Sequence, residues 1–323
     1  MASQAVAPAA VPSKSSGTGD AIARFTALFF AALLLVIALL LVEQLFVRSA
    51  PARDKLGFGF LTGTDWNPVT DSFGALPFIY GTVITSLIGM LISIPMGVGA
   101  AIFLAELAPA KISNGLTFVI ELLAAIPSVI YGLLAIFTLV PLMRSYIEPF
   151  LKHSIGQVPY VGDLFSGPAY GVGYLTAGIV LAIMTIPFVI SVSRESLLAV
   201  PREQREAALA LGATRWETTW QIVVPYAKLG ILGSIFLGLA RALGETMAVT
   251  MVIGNAPAVH ASLLAPGYTI AAVIANEFAE AGGQIHPAVL IELGLILFFL
   301  TIVINGLARL MIVATTSKGS KRA

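Results

Sequence analysis

The chain alternates long apolar runs with short polar breaks. Six runs are long enough to supply the about 20 apolar residues that a helix needs to cross a bilayer core: 22–46, 79–105, 115–143, 171–193, 229–253 and 287–313. Each is too long for a barrel strand, and a lone strand in hydrocarbon would leave its backbone groups unpaired. The expected class is therefore an all-α integral membrane protein with six transmembrane helices. Residues 1–20, rich in Ala, Pro, Ser and Gly, have too little apolar content to fold, so a disordered cytoplasmic tail is expected there. A short second tail is expected over 316–323. Arg24 before the first run and Ser49-Ala50-Pro51-Ala52 after it give the run the flanks of a cleaved secretory signal. Its length exceeds the roughly 7–15 apolar residues of such signals, so it is read as a retained first helix within 21–78, followed by an external loop.

Composition agrees with that reading. Hydrophobic residues make up 58% of the chain and charged residues 11%, with mean hydropathy +0.93, against roughly 25% charged in soluble domains. There is no cysteine, which excludes a disulfide framework and a thiolate metal site.

Orientation follows from the distribution of Lys and Arg near the helix ends. With the amino terminus inside, Lys14, Arg24, Lys111, Arg194, Arg202, Arg205, Arg215, Lys228, Arg309, Lys318, Lys321 and Arg322 face the cytoplasm. Arg48, Arg53, Lys55, Arg144 and Lys152 face out, and Arg241 lies within a span. Both termini are thus expected to be cytoplasmic.

The most distinctive polar island lies between the fourth and fifth runs. Glu206-Ala207-Ala208 is followed, after three residues, by Gly212 and, nine residues later, by Ile222-Val223-Val224-Pro225. The first three are good helix formers, Gly212 suits a helix end or bend, and Pro225 opposes helical continuation through the preceding turn. Helix, bend, helix is expected over 200–225, on the cytoplasmic side.

Charges inside the apolar runs point to function. Arg241 and Glu245 are four residues apart in the fifth run, a spacing that on a continuous helix puts them on one face within ion-pair reach. An unpaired Arg near mid-bilayer costs about 2.5–3.5 kcal/mol on insertion scales. Two readings remain open: a self-neutralising pair that lets the helix insert, or a guanidinium that meets a moving anion, with Glu245 holding it and tempering its affinity. Glu292 reads as an interfacial acid near a positive helix end. Glu121 precedes Pro127, and Pro95, Pro127 and Pro187 each suggest a kinked span.

The chain lacks a G-x4-G-K-[ST] phosphate cradle, so ATP-driven work would need a separate subunit. His153, His260 and His286 are widely spaced and read as loop histidines. No catalytic residue, metal site or cofactor is expected, and no nucleic-acid partner.

The spacing at 206–225 resembles the EAA loop of permease subunits of ABC-type importers, with Val224 where that pattern usually has Leu. ELLAAIPSVIYGL at 121–133, RALGETMAVTMVIGN at 241–255 and TIAAVIANEFAEA at 269–281 resemble the phosphate-specific branch, its PstC-type subunit more than its PstA-type partner. The resemblance covers roughly 75–320 and implies a type I ABC importer permease fold over 79–315. It also implies a second homologous permease subunit, two cytoplasmic ATPase subunits and an extracytoplasmic phosphate-binding protein around the chain in its lipid bilayer. It assigns Glu206, Ala207, Ala208, Gly212, Ile222 and Pro225 to ATPase coupling, and Arg241 and Glu245 to the substrate pathway. A permease for another oxyanion, such as molybdate, sulfate or phosphonate, fits the charges equally. An ion-gradient-driven carrier accounts for the buried charges but not for the EAA segment.

Overall fold

The computed structural model describes residues 18–159 and 161–319. Apart from residues 18–20 and 316–319, which are helical, both expected tails lie outside the described residues.

The first element, α1 (Thr18–Arg48), forms a unit by itself up to Val47. Asp20 in its first turn and Arg48 in its last complement the helix dipole. Of its residues, 30 form a helix long and apolar enough to span.

The second unit opens with α2 (Ala50–Leu56), α3 (Gly59–Thr62) and a two-stranded hairpin, β1 (Trp66–Asn67) and β2 (Ser72–Phe73). The hairpin is an addition to the helical expectation. Asn67 Oδ1 accepts the Val69 and Thr70 N–H groups, the local side-chain turn that Asn favours. Then come α4 (Leu76–Ile102), α5 (Ala110–Ala124), α6 (Ser128–Leu134), α7 (Val140–Leu142), α8 (Glu148–Ser154), α9 (Tyr174–Leu198), α10 (Arg202–Ala210), α11 (Arg215–Thr218), α12 (Val224–Leu243), α13 (Met247–Val252), α14 (Ile270–Glu277) and α15 (Ile285–Gly319). Wider π-turns join α6, α7 and α8 into one continuous helix and join α11 to α12.

With α1, six helices among the described residues are long and apolar enough to cross a membrane: Gly19–Arg48, Leu76–Leu107, Ser128–Ser154, Tyr174–Leu198, Arg215–Leu243 and Ile285–Leu310. The number of spans matches the sequence reading, but two are displaced. The expected third span, 115–143, is cut at Ala125–Pro127, leaving α5 as a separate helix. Pro127 does not kink a span: it is extended and begins the helix that follows, because proline fixes φ and lacks the donor that an interior position needs. Pro95 and Pro187, by contrast, lie inside continuous helices. The expected fifth span, 229–253, instead starts at Arg215 and stops at Leu243.

The helices α4 and α9 form the most extensive packed pair. Lipid offers no hydrophobic drive for helix association, so small residues that let backbones approach closely become the glue. A Cβ at Gly97 would sit 2.8 Å from Val189 Cγ1, and one at Gly89 would sit 3.0 Å from Leu181 Cβ. Buried Ser193 and Ser234 lie 2.6 Å apart and tie α9 to α12. An apolar cluster including Ala101, Leu104, Leu197, Val200, Val223 and Ala227 then joins α4, α9 and α12 at one end of the pair.

Candidate functional site

The 200–225 segment folds as the sequence proposes up to its last residue. Helix α10 ends in a left-handed turn: Gly212 has φ +91°, its N–H bonds to Leu209 O (3.0 Å), and the Ala213 N–H bonds to Ala208 O (3.1 Å). This pair of closing bonds satisfies orphan carbonyls and favours glycine, which carries no Cβ to strain the left-handed conformation. Thr214 then starts α11 with a reciprocal cap: its Oγ1 accepts the Glu217 N–H, and Glu217 Oε2 accepts the Thr214 N–H at 2.8 Å.

Pro225 does not interrupt the helix that follows. The π-turn Thr219–Val223 carries the Val224 N–H back to Thr219 O and resets the helix, so Pro225 falls in the first turn of α12, where its missing donor costs nothing. Glu206, Ala207, Gly212 and Pro225 are exposed, Ile222 is half-buried and Ala208 is buried. Leu209, Leu211, Trp216 and Trp220 are also exposed, Leu211 at 89%. The segment thus presents an apolar, helical ledge with Glu206 on its surface.

One residue of α10 turns the other way. Arg205 donates from Nε and Nη2 to Glu106 Oε1 (3.2 and 2.7 Å), from Nε to Glu106 Oε2 (3.2 Å), and to the Leu197 and Val200 carbonyls. Sequence reasoning counted Arg205 only as an inside charge and passed over Glu106, because the two are 99 residues apart and no local spacing joins them.

The interior charges also sit differently from the sequence reading. Arg241 is in the last turn of α12, and Glu245 lies past the helix end, in the break between α12 and α13. The i,i+4 geometry therefore does not exist, and no Arg241–Glu245 ion pair forms among the described residues. Glu245 Oε1 instead accepts the Ala248 N–H at 3.2 Å, capping α13, while Arg241 is exposed on the surface of the chain.

A second break lies beside the first. Between α5 and α6, Tyr131 Oη donates to Leu123 O at 2.7 Å across the gap, and the Arg241 guanidinium is within electrostatic range of that phenol. Gly132 of α6 faces α13 so closely that a Cβ there would lie 3.0 Å from Ala248 Cα. Two interrupted helices thus pack against each other close to an exposed Arg. Helix starts carry unpaired N–H groups and partial positive charge, and at α13 the Glu245 carboxylate meets one of them. Glu121, on α5, is exposed.

Elsewhere the structure pairs what the sequence left alone. Arg53 Nη1 lies 3.0 Å from Glu292 Oε2, so Glu292 is an ion-pair partner of α2 and not only an interfacial acid. His286 is in the first turn of α15, with Nε2 3.1 Å from Glu277 Oε2, which also accepts from Trp66 Nε1. His153 sits in the last turn of α8. Neither is a loop histidine. Among the described residues no three His, Cys, Asp or Glu cluster as metal ligands.

The segments 161–171 and 254–268 meet at the end of the unit away from α10. Leu263 N–H donates to Leu164 O (2.8 Å) and Ser262 Oγ to Ser166 O (2.7 Å). Between them lies a cleft of about 630 Å³ lined by residues including Asp163, Tyr170, His260 and Pro266. Nearby, burial pushes the Tyr268 phenol up from its ordinary value, leaving it a stable protonated partner for Asn276 Nδ2 at 2.8 Å.

Six spans, an exposed apolar ledge and an exposed Arg241 beside two broken helices fit the membrane subunit of an ATP-dependent importer. The chain belongs to the family described as Binding-protein-dependent transport system inner membrane component, which matches residues 93–313. Its relatives include the Phosphate transport system permease proteins PstC of Xylella fastidiosa (strain Temecula1), 52% identical over 262 residues, 81% of each chain, and of Mesorhizobium japonicum, 48% identical over 284 residues, 87% of each. That of Pasteurella multocida is 46% identical over 299 residues, 93% of each.

Two solved structures share the fold. A bacterial ABC transporter that imports the acidic polysaccharide alginate aligns with TM-score 0.54 at 16% identity, covering 88% of this chain and 96% of that one. The MetNI methionine ABC transporter aligns with TM-score 0.52 at 15% identity, covering 72% and 93%. The fold is that of type I ABC importer permeases. The chain is a multi-pass inner-membrane permease subunit working with an ATPase, which hydrolyses the ATP, and with a binding protein.

Proposed function

We propose that this chain forms part of the membrane pathway for inorganic phosphate, delivered by an extracytoplasmic phosphate-binding protein. One observation carries the reading: an exposed Arg241, without an ion-pair partner among the described residues, stands at the break between α12 and α13, where α13 packs against α6. Arg presents fixed charge and a fork of donors suited to phosphate oxygens. The names of the relatives, phosphate transport permeases at 46–52% identity, favour phosphate over molybdate, sulfate or phosphonate.

A second homologous permease completes the pathway and covers the apolar faces of α5, α6 and the π-turn after it, where Phe118, Leu122, Ile130, Leu134 and Phe137 are exposed. Two ATPase subunits dock on the ledges of the two permeases. Closure of the ATPase pair on ATP moves the Glu206–Pro225 segment and, through it, α9 and α12. The pathway then opens outward to receive phosphate. Hydrolysis returns it inward. The cleft between 161–171 and 254–268 is the docking surface for the binding protein.

Purification in mild detergent tests the assembly: an ATPase subunit and a second permease are expected to co-purify, and recovery of the chain alone would favour the gradient-driven carrier. Orientation is checked by labelling. A cysteine at Ala210, exposed on α10, is expected to react only from the cytoplasm, and one at exposed Ala261 only from outside. The reverse pattern would overturn the assigned orientation.

A further inference from the structure

Docking an ATPase on α10 does work only if the movement of α10 reaches the spans. The chain connects α10 to α9 through the three residues Ala199–Pro201, and Pro201 is extended. To α4 there is no chain connection nearby, because α4 and α10 are almost a hundred residues apart. The polar contacts at Arg205 fill both gaps. Its guanidinium spends its donors on Glu106, at the end of the π-turn that prolongs α4, and on Leu197 O and Val200 O, where α9 ends.

The setting makes this more than a surface ion pair, of the kind worth little in solution. The Glu106 side chain is 9% exposed and that of Arg205 is 19%. The two accepting carbonyls belong to Leu197 and Val200, both in the apolar cluster that joins α4, α9 and α12. A planar fork gripping a carboxylate at two oxygens fixes direction as well as distance, which a single lysine ammonium cannot do. Arg205 also immediately precedes Glu206, so the residue that anchors inward adjoins the one that faces outward.

We infer that Arg205 and Glu106 form a rivet that transmits the motion of the coupling helix into α4 and α9 together. Both are positioning residues: neither touches ATP or the transported anion. The inference rests on the coupling role proposed above for 206–225. It predicts that loosening the rivet leaves the ATPase attached and hydrolysing while less phosphate moves per ATP.

The test uses the whole complex in vesicles, with the binding protein, reading phosphate uptake, ATP hydrolysis and ATPase co-purification together. Glu106→Gln and Arg205→Lys are expected to keep ATPase co-purification at the unaltered level while phosphate moved per ATP falls about fivefold or more. The double variant is expected to fall no further than the worse single, because the two side chains act as one unit. Glu106→Asp, which keeps the charge with a shorter reach, is the gentler change should either variant insert poorly, and it is expected to lower the same ratio. An unchanged ratio in all of them overturns the rivet. So does loss of ATPase co-purification in step with uptake, which would make Arg205 part of the docking surface instead. Failure of the unaltered complex to take up phosphate would count against the proposed substrate and not against the rivet, since the coupling of hydrolysis to movement would still be read with the anion that it does carry.

Discussion

Arg241→Gln is expected to reduce phosphate uptake by about two orders of magnitude while the complex still assembles. Glutamine keeps hydrogen-bonding capacity but loses the fixed charge and the fork. A hydrogen bond to a charged group is worth about 1.5–3 kcal/mol, and about 1.4 kcal/mol is a factor of ten in rate. Glu245→Gln is expected to be milder, because a glutamine oxygen can still accept the Ala248 N–H that now caps α13. Combining the two changes sharpens the test. Had Arg241 and Glu245 been a self-neutralising pair, removing both would restore what either single change lost, since only a stranded partner is costly. No such pair forms, so the double variant is expected to stay as inactive as Arg241→Gln. Recovery in the double, with uptake normalised to assembled complex, would return both residues to a packing role.

The second large effect is expected at Gly212. Its left-handed φ of +91° is accessible to glycine and, at some cost, to asparagine, but is strongly disfavoured for a β-branched residue. A Cβ there would meet nothing within 4 Å, so any defect must come from backbone strain and not from crowding inside the chain. Gly212→Val should therefore twist α10 against α11 and sharply lower the phosphate moved per ATP, with membrane insertion intact. Gly212→Asn should retain most of it. Equal activity in the two variants would remove the backbone argument, while equal loss would point to direct contact between the docked ATPase and this exposed corner. Glu206→Lys, on the outward face of the same helix, is expected to weaken ATPase co-purification.

What the sequence revealed and what it concealed have a common physical origin. Span number, the helix at 202–210 and the bend at Gly212 depend on short-range properties: apolar run length, helix propensity and the special freedom of glycine. All were readable from neighbouring residues. The errors came where a run of apolar letters continued through a break in the backbone. Ala125–Pro127 and Gly244–Thr246 are flanked by apolar residues on both sides, so hydropathy runs straight through them. Gly244 and Pro127 were the available signals, but both expected spans ran through them, Pro127 being read as a kink. Placing Arg241 and Glu245 on one helix followed directly from missing the second break. Pro225 erred in the opposite direction, since a π-turn that no local pattern announces lets the helix pass it.

Partners distant in sequence were concealed for a different reason. Arg205 with Glu106, Arg53 with Glu292, and Trp66 with Glu277 and His286 are brought together by helix packing, which a single sequence does not encode in any local spacing. Charge counting identified the side on which Arg205 and Arg53 were expected but not what they hold. An acid at the end of one apolar run and a base just beyond another are worth pairing whenever topology puts both at the same membrane face.

The most direct test of the central claim is uptake of labelled phosphate by vesicles holding the complete complex, with ATP inside and the binding protein outside. Accumulation is expected only when both are present, to survive collapse of ion gradients, and to persist in an excess of sulfate or molybdate. Phosphate movement driven by an ion gradient without ATP, or equal uptake of the competing oxyanions, would contradict it.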